Sequence, residues 1–512
     1  MPGMPRSGST CHWAWGLAFA AALTALTGPP AQADDRLPPA VQDALRQAGL
    51  PGSALAAVAL PLAPWARAWQ LQPQRAMQPA STMKLLTSVV ALDRLGPNHR
   101  GFTALLSNAP LSAGTLQGDL VLQGGGDVEL NAPQLWALLL ELQNAGVQRI
   151  EGDLIVDRTR YRPARFDLGL APFDEAPEFP YNVIPDALML QGNLLPLALR
   201  AEGGSSSNSV VASTVPPLPG LVIDSRMTLV DARCEDWDDH WQTAAVASSG
   251  DDIRITLNGA FPRGCSVRAD LQLIDRQALT ERLFRSLWQG LGGQWRGRAR
   301  EAAAPADSRV LARRSARPWG ELLRPLNKTS DNAWTRVLYL ELGAQAMAAA
   351  PEQTTQPTTQ QMAERAVRQW FAQHRIDDTG LVVDNGSGLS RSERISAWQM
   401  ARLLQVAYAG PNRSDLLMSL PTAGVDGSMR NRLKASPAAG WARLKTGTLR
   451  NAVALAGYIR DPQGREWAVA MMLNHEPDAA GGRAVLDALV DQWVRFGPHP
   501  APLLTGPLGD GP

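Results

Sequence analysis

The stretch MQPASTMKLLTS, residues 77–88, places a serine and a lysine three positions apart among apolar residues. Lysine is rare in this chain: it occurs four times in 512 residues, whereas the other 45 of the 49 basic residues are arginine. An arginine keeps its proton near neutral pH, but a desolvated lysine can lose it. The rarity of lysine therefore suggests that Lys84 does chemistry that an arginine cannot do.

Ser81 and Lys84 stand at positions i and i+3 of a predicted helix that begins just after Pro79. Side chains at this spacing are neighbours on a helix, with β-carbons about 5–6 Å apart. The positive end of the helix dipole and the apolar neighbours both disfavour a protonated amine there. A neutral lysine can take the proton of a serine hydroxyl and leave a nucleophile. The alternative is a capping serine beside a surface lysine, because Ser-x-x-Lys is short and also arises by chance.

The stretch NKTSDNAW, residues 327–334, is a second candidate for chemistry. Ser330 and Asn332 are two positions apart and can face the same way on a turn. A hydroxyl there can relay a proton to or from Lys84, and a carboxamide can bind a substrate amide. The alternative is a helix N-cap, because Ser330 and its neighbours are good capping residues ahead of an apolar segment.

The stretch ARLKTGTLRN, residues 442–451, is a third candidate. Lys445, Thr446 and Gly447 are predicted to enter the first strand of a C-terminal hairpin. Lysine and hydroxyl groups on a strand edge can bind a carboxylate, and a glycine lets a substrate backbone come close. The alternative is an ordinary strand start with a solvated lysine.

The three motifs occur in the order Ser-x-x-Lys, Ser-Asp-Asn, Lys-Thr-Gly, and together they resemble the penicillin-binding protein and serine β-lactamase superfamily. A gap of 246 residues separates Lys84 from Ser330, much longer than a plain β-lactamase domain allows. Such an insertion is similar to that of the low-molecular-mass class C penicillin-binding proteins, the D-alanyl-D-alanine carboxypeptidase/endopeptidase family. Other stretches between about residues 35 and 490 match this family as well: GDLVLQGGGD, GDLIVD, LNKTSDN, DNGSGLSR, LPTAGVDGS and KTGTLRNAVALAGYI.

The resemblance implies hydrolysis of the bond between two D-amino acids in peptidoglycan stems and cross-links, through an acyl-enzyme. It makes Ser81 the nucleophile, Lys84 the general base and Ser330 the proton donor to the leaving amine. The residues that it assigns to substrate binding are Asn332 for the acyl-side amide and Lys445, Thr446 and Thr448 for the terminal carboxylate. Gly447 belongs to this set as the residue that lets the substrate backbone come close. By analogy, the backbone N–H groups of Ser81 and Thr448 form the oxyanion hole, at roughly 3 to 4 kcal/mol per donor.

The stretch DNGSGLSR, residues 384–391, has two interpretations. The resemblance suggests that Asp384, Ser387 and Ser390 line the site. The local sequence suits a glycine-rich turn that caps the following helix equally well.

Other functions stay open beside this one. A serine β-lactamase would need a group that activates the deacylating water, but no Glu-x-x-Leu-Asn pattern of class A enzymes lies between Asn332 and Lys445. A penicillin-binding sensor without turnover is disfavoured by three intact motifs. In a structural peptidoglycan-binding protein, Ser81→Ala would leave the phenotype unchanged.

The predicted fold class is α+β: a penicillin-binding/β-lactamase-like domain, with an antiparallel sheet and helices, that carries a large β-rich insertion between the first two motifs. The predicted segments are a signal peptide at 1–33, a catalytic domain at 34–100 and 310–500, and an insertion at 101–309 with a nested β-rich part at about 203–275. The stretch RGRAREAAAPADSR, residues 296–309, is expected to be a linker.

Composition and the N-terminus limit the compartment and the partners. The apolar stretch from residue 13 to 28, followed by Ala31 and Ala33, predicts a cleaved signal peptide and a periplasmic protein. A net charge of +1 without a polybasic run argues against nucleic acid. The expected partners are peptidoglycan stems and cross-links, with β-lactams as covalent inhibitors. No cofactor, metal or transmembrane anchor is expected, while loose membrane association and the oligomeric state are left open.

The two cysteines of the predicted mature chain, Cys234 and Cys265, form an even pair in an exported protein. Such a pair favours a disulfide. The sequence around them has no metal-site spacing such as C-x-x-C or H-E-x-x-H. We therefore expect one disulfide within the nested β-rich part.

Overall fold

The computed structural model describes residues 36–64, 66–170, 176–204, 207–349 and 357–499, so the predicted signal peptide lies outside the described residues. The α-helices of this part are α1 Pro39–Gln47, α2 Met83–Arg94, α3 Ala132–Asn144, α4 Arg276–Gly290, α5 Trp319–Thr329, α6 Asn332–Ala349, α7 Thr359–Gln373, α8 Ala397–Ala409, α9 Arg413–Ser419 and α10 Gly482–Phe496. Within these ranges, none of the helices has the length and apolar character needed to cross a bilayer.

The strands divide into two groups along the chain. Those from the two outer parts are β1 Leu55–Pro61, β2 Trp69–Leu71, β3 Ala76–Met77, β20 Ile395–Ser396, β21 Arg443–Leu449, β22 Ala452–Arg460 and β23 Glu466–Asn474. Those from the middle are β4 Phe102–Ser107, β5 Leu111–Ser112, β6 Thr115–Leu116, β7 Leu120–Gly125, β8 Arg149–Ile150, β9 Leu154–Asp157, β10 Leu195–Gly204, β11 Ser207–Thr214, β12 Leu221–Ser225, β13 Thr228–Val230, β14 Trp241–Ser249, β15 Asp252–Pro262, β16 Ser266–Leu271, β17 Gln294–Trp295, β18 Ala299–Glu301 and β19 Arg309–Ser315.

The central sheet combines strands from the beginning and the end of the described chain. Its order is β2-β1-β23-β22-β21, and all neighbouring strands are antiparallel. β1 pairs with β23 from Leu55 opposite Leu473 to Pro61 opposite Trp467. The segment after β1 and the Lys-Thr-Gly segment on β21 therefore belong to one structural unit.

Helices cover both faces of this sheet, which explains why β1 has the continuous apolar sequence LAAVALP. Successive side chains of a strand point to opposite faces. Accordingly, Val58 packs in a cluster with residues of α2, α5, α6, α7 and α8, whereas Leu55 packs in a second cluster with residues of α1 and α10. A strand buried on both faces loses the alternation of apolar and polar residues.

The middle of the chain forms sheets of its own around a separate apolar core. One sheet has the order β18-β9-β7-β4-β19, and β17, β8, β6 and β5 form another. Two further sheets are β11-β10-β16 and the group of β12, β13 and β14 around β15. Most of their buried apolar residues pack with those of α3 and α4 in one cluster, while Ala104, Leu106, Val121 and Ile155 form a smaller one on the other face of the β4, β7 and β9 sheet. The GDLVLQGGGD and GDLIVD stretches supply β7 and β9, which are parallel neighbours.

The linker prediction for residues 296–309 is wrong. β18 pairs with β9, and β19, which begins at Arg309, pairs with β4. The charged residues of these edge strands lie on the surface, where Arg300 forms an ion pair with Asp119. Charged edge strands lack the apolar alternation that identifies a strand in a sequence.

Two side-chain links stabilise the middle segments. Cys234 and Cys265 form a disulfide with a Cα–Cα distance of 5.6 Å, as predicted. Glu341 of α6 is fully buried and accepts hydrogen bonds from Arg160 (2.7 and 2.6 Å) and from the Tyr161 hydroxyl (2.6 Å). The second link joins the segment after β9 to a helix that also carries Asn332 at its start.

Candidate active site

Ser81 lies in a tight turn at the start of α2. The turn is a 3₁₀ segment, Ala80–Thr82, and the Thr82 hydroxyl donates to the Pro79 carbonyl at 2.7 Å. All residues from Met83 to Leu92 of the following helix are buried. A helix with apolar residues all round is a core helix, so the position of Ser81 is fixed by the centre of the molecule.

Lys84 makes three hydrogen bonds from a fully buried position. Its Nζ donates to Ser81 Oγ at 3.0 Å, to Asn332 Oδ1 at 2.6 Å and to the Ser387 carbonyl at 2.6 Å. Burial lowers the pKa of Lys84 from 10.5 to about 7, against the opposing effect of the negative charges of Asp331 and Glu393. A substantial fraction of this amine is therefore neutral near pH 7, as a base beside a hydroxyl requires.

The junction of α5 and α6 brings the second motif to Lys84. Ser330 ends α5 with φ of 64°, in the left-handed region. The Asp331 carboxylate accepts from the Trp334 N–H at 2.8 Å and so caps α6. Asn332 then bridges two parts of the site, because its Oδ1 accepts from Lys84 and its Nδ2 donates to the Tyr181 carbonyl at 2.9 Å. The capping and the chemical interpretations of this stretch are compatible, since different residues make the two kinds of contact.

Lys445 links the third motif to the second. Its Nζ is buried and donates to Ser330 Oγ at 2.8 Å. Burial and the charge of Lys84 hold the pKa of Lys445 well below its usual range. Two buried amines this close disfavour double protonation, which helps to keep one of them neutral.

The Lys-Thr-Gly strand lies against the nucleophile turn. It is a separate strand, β21, next to the predicted hairpin of β22 and β23, and not the start of that hairpin. A Cβ on Gly447 would lie 2.6 Å from the Pro79 carbonyl oxygen and 3.0 Å from the Ser81 nitrogen. Glycine is therefore required by this close approach. Thr446 donates to Ser428 Oγ at 2.7 Å, and Thr448 is exposed beside the turn.

The segment 384–391 reaches the site through its backbone. The Ser387 carbonyl accepts from Lys84, whereas the Ser387 hydroxyl donates to Asn385 Oδ1 at 2.6 Å. The Asp384 carboxylate accepts from Gln360 at 2.7 Å, and Ser390 bonds to Ser392 at 2.8 Å. These two side chains thus bond to groups other than Lys84 and Ser81.

The geometry forms two hydrogen-bonded groups: Lys84 with Ser81 and Asn332, and Lys445 with Ser330. The charge of Lys84 acts on Lys445, so the two groups are near one another. Within the described ranges, no group of three or more His, Cys, Asp or Glu side chains is arranged to hold a metal ion. The two hydrogen-bonded groups offer a hydroxyl beside a partly neutral amine, and a second hydroxyl beside a second amine. Such an arrangement suits acyl transfer to serine.

Comparison with known proteins identifies the family. Residues 37–494 match the family model described as D-Ala-D-Ala carboxypeptidase 3 (S13). The chain belongs to this family. S13 membership confirms the family and the serine-type carboxypeptidase class that the three motifs predict.

Individual S13-like proteins resemble the chain over most of its length. The D-alanyl-D-alanine carboxypeptidase of Actinomadura sp. (strain R39) is 29% identical over 452 residues, covering 84% of this chain and 80% of the relative. The D-alanyl-D-alanine carboxypeptidase DacB of Haemophilus influenzae is 27% identical over 405 residues, covering 78% of this chain and 80% of the relative. The crystal structure of penicillin binding protein 4 from H. influenzae has a TM-score of 0.72 at 24% identity, covering 88% of this chain and 98% of that one. This likeness confirms the predicted α+β fold class.

Three groups near Lys84 and Asn332 were not among the site residues predicted from the sequence. Glu393 is buried behind the 384–391 segment, and the carbonyls of Ser387 and Tyr181 contact Lys84 and Asn332. A backbone carbonyl leaves no signature in a sequence, because every residue has one. Glu393, in contrast, has a side chain that a sequence shows. It lies two positions beyond the DNGSGLSR stretch, among serine and arginine residues that give the appearance of a surface loop.

Proposed function

We propose that this S13 chain removes the terminal D-alanine of peptidoglycan stem peptides through an acyl-enzyme on Ser81, and that it also hydrolyses D,D-cross-links. One observation carries the proposal: Lys84 Nζ is 3.0 Å from Ser81 Oγ, inside hydrogen-bond range, and the lysine is fully buried. Family membership supports the carboxypeptidase reaction. Cross-link cleavage is inferred from the resemblance of the motifs.

In the acylation step, neutral Lys84 takes the hydroxyl proton of Ser81, and Oγ forms a bond to the carbonyl carbon of the penultimate D-alanine. The backbone N–H groups of Ser81 and Thr448 stabilise the resulting oxyanion, at roughly 3 to 4 kcal/mol per donor. Support for this assignment comes from the close approach of Gly447 to the Ser81 nitrogen. Both N–H groups belong to segments that touch there.

In the next step the C–N bond breaks and the leaving D-alanine nitrogen gains a proton. Ser330 passes to this nitrogen the proton that Lys84 took from Ser81, so that Lys84 is neutral again for the next step. The Lys445 Nζ, 2.8 Å from Ser330 Oγ, holds this hydroxyl in place. Lys445, Thr446 and Thr448 bind the terminal carboxylate, whereas Gly447, predicted to make space for the substrate backbone, lets β21 approach the nucleophile turn. Asn332 binds the amide of the acyl part. Water, activated by Lys84, then hydrolyses the ester and restores Ser81.

We also propose a setting for this reaction. The predicted insertion 101–309 is extended to the end of β19 at residue 315, because β19 pairs with β4, so the second part of the predicted catalytic domain, 34–100 and 310–500, begins at residue 316. The location is periplasmic, with peptidoglycan as the substrate. Penicillins acylate Ser81 as substrate mimics; the penicillin binding protein 4 of H. influenzae has been crystallised in complex with a novel β-lactam.

The test uses the purified mature protein, a pentapeptide stem, a defined cross-linked muropeptide and a fluorescent penicillin. We expect release of D-alanine and stoichiometric labelling by the penicillin. Ser81→Ala and Lys84→Ala should abolish both. Lys434→Ala is the matched control, since Lys434 is exposed and its Nζ donates to Asn431 Oδ1 at 2.9 Å.

Each outcome separates the proposed function from its rivals. Equal labelling of Ser81→Ala protein would remove the nucleophile. Labelling without D-alanine release would identify a sensor, and rapid loss of the label with penicillin hydrolysis would identify a β-lactamase. Activity on the pentapeptide alone would confine the enzyme to carboxypeptidase action.

A further inference from the structure

Glu393 is a buried acidic residue with no step in the mechanism above. Its side chain is 0% exposed. The carboxylate accepts hydrogen bonds, at 2.7 to 3.2 Å, from four backbone N–H groups of the segment 384–388: those of Asp384, Asn385, Gly386 and Gly388. A buried carboxylate needs partners of this kind. Glu393 therefore fixes the backbone of a segment that touches Lys84.

One peptide group connects Glu393 to Lys84. The carbonyl of Ser387 accepts from Lys84 Nζ at 2.6 Å, and the N–H of the same peptide unit, contributed by Gly388, donates to Glu393 Oε2 at 2.7 Å. Hydrogen bonds in such a chain polarise one another. A negative Glu393 thus makes the Ser387 carbonyl a stronger acceptor for the lysine.

The same segment is held against the nucleophile turn. A Cβ on Gly388 would lie 1.8 Å from the Ala80 carbonyl oxygen, and the backbone of Gly388 has φ of 80°. On the other side, the Thr87 hydroxyl of α2 donates to the Gly386 carbonyl at 2.7 Å. Movement of the segment would therefore displace both Lys84 and the Ser81 turn.

We propose that Glu393 is a positioning residue for acylation: through the Ser387–Gly388 peptide group it sets the position and the charge state of Lys84 Nζ. The inference rests on the proposed function, in which Lys84 is the base. It adds a buried acid that touches neither Ser81 nor the substrate, and acts through the backbone.

The electrostatics of the site support this coupling. Burial raises the pKa of Glu393 to about 7, although its backbone donors lower it, and the charge of Glu393 raises the pKa of Lys84. Other charged or titratable groups face this pair from the surrounding elements: Asp384 on the same segment, Asp331, Arg336 and Tyr339 on or before α6, and Lys445 on β21.

The test is the pH profile of acylation by a fluorescent penicillin in Glu393→Gln, with each rate normalised to the labelled fraction of protein. Removing a negative charge lowers the pKa of Lys84. The part of the pH profile in which the acylation rate rises from acidic to neutral pH, its acid limb, should therefore move to lower pH by about 0.5 to 1 unit. The plateau rate should fall about tenfold. This loss is expected because the carboxylate accepts through both oxygens, whereas a glutamine amide has one acceptor oxygen, so either the Gly388 N–H or the N–H groups of residues 384–386 would face an NH₂ group.

Glu341→Gln is the matched control, since Glu341 is equally buried but bonds to Arg160 and Tyr161. The Glu341→Gln substitution should lower the free energy of unfolding and leave the acid limb of the acylation pH profile unshifted. A second measurement follows the titration of the four lysines by ¹³C NMR. The Lys84 signal is assigned as the one that disappears in Lys84→Ala. In Glu393→Gln this signal should titrate at a lower pH than in the wild-type protein.

The outcomes distinguish this inference from the proposed function. If Lys84→Ala is inactive but Glu393→Gln has an unshifted limb and an unshifted Lys84 titration, the role of Glu393 is overturned and the base assignment stands. If Lys84→Ala still acylates, the proposed function itself fails. A shift of the same size in Glu341→Gln would reduce Glu393 to a general stabilising residue.

Discussion

Two opposing influences act on the amine of Lys84. Burial favours the neutral form, whereas the charges of Asp331 and Glu393 favour the protonated form, and the resulting pKa is about 7. Three hydrogen bonds hold the amine in place in either form. Lys84 therefore combines a fixed position with a proton that it can release near neutral pH.

A pH dependence follows from this pKa. Only the neutral amine accepts the Ser81 proton, so the rate constant for acylation by a fluorescent penicillin should rise as the pH increases through about 7. Lys84→Arg should be inactive at every pH, because a guanidinium does not deprotonate in proteins. A rate that is flat across neutral pH in the wild-type protein would contradict a titrating base.

Gly447 provides a second prediction at this scale. In Gly447→Ala the new Cβ would meet the Pro79 carbonyl oxygen at 2.6 Å, so β21 and the nucleophile turn must separate. A displacement of about 1 Å costs on the order of 100-fold in rate. We expect a loss of this size in penicillin acylation.

The matched glycine is Gly290 of α4, where an added Cβ meets nothing within 4 Å. Gly290→Ala should retain full acylation and unfold at an equal or higher denaturant concentration. Retention of the wild-type rate in Gly447→Ala would show that the close approach is not needed.

The residues with a side-chain signature were predictable from the sequence. The rarity of lysine singled out Lys84, and the three motifs together, through their resemblance to a family, predicted Ser330, Asn332 and Lys445. The contacts made by the Ser387 backbone were not predictable, because the peptide group is common to all residues. Asp384 and Ser390 were expected from resemblance to line the site, and their side chains bond elsewhere.

Among the elements, α6 has two separate roles at different turns. Its first residue, Asn332, accepts from Lys84, and Glu341, more than two turns later, binds Arg160 and Tyr161. Helix periodicity predicts the existence of α6 from the sequence. The partners of Glu341 are 180 or more residues away in the chain, so no local pattern indicates them.

Glu341→Gln should destabilise the protein strongly at neutral pH. Although burial alone would raise its pKa, hydrogen bonds from Arg160 and His99 lower the pKa of Glu341 to about 2. Breaking a buried ion pair costs about 3–5 kcal/mol. Denaturant unfolding should show this difference. The control is Glu364 of α7, which forms a partly exposed ion pair with Arg368; Glu364→Gln should change the free energy of unfolding by less than about 0.5 kcal/mol.

The same substitution has a defined pH dependence. A carboxylate with a depressed pKa in the folded state stabilises above its unfolded pKa of about 4.5, and this contribution disappears as the pH falls towards 2. The stability difference between wild type and Glu341→Gln should therefore narrow on acidification. A constant difference would contradict an ionised Glu341.

For the whole molecule, the disulfide should matter to one part only. Cys265 belongs to the apolar cluster of the middle segments. It is not a member of the two clusters that pack around α2 and the central sheet. Closing a separation of 31 residues contributes about 3–4 kcal/mol. In a Cys234→Ser, Cys265→Ser variant, limited proteolysis should cut the middle segments faster while penicillin labelling stays stoichiometric.

Reduced wild-type protein should behave as this double variant does. Labelling that falls in proportion to proteolysis would show that the middle segments and the active site unfold together. The sequence predicted the pairing of the cysteines, since only two remain in the predicted mature chain. The sequence did not predict the full extent of the middle sheets, because the charged residues of the edge strands β18 and β19 remove the apolar alternation that identifies a strand.

The pairing of β1 with β23 has a consequence for biosynthesis. While a ribosome is still making the chain, β1 has emerged but its main partner does not yet exist, and the segment with Lys445 is also absent. A nascent polypeptide cannot be a target for penicillin until translation has passed residue 474. The enzyme is thus inert until that point of its synthesis, and termination before it yields fragments without hydrolytic power.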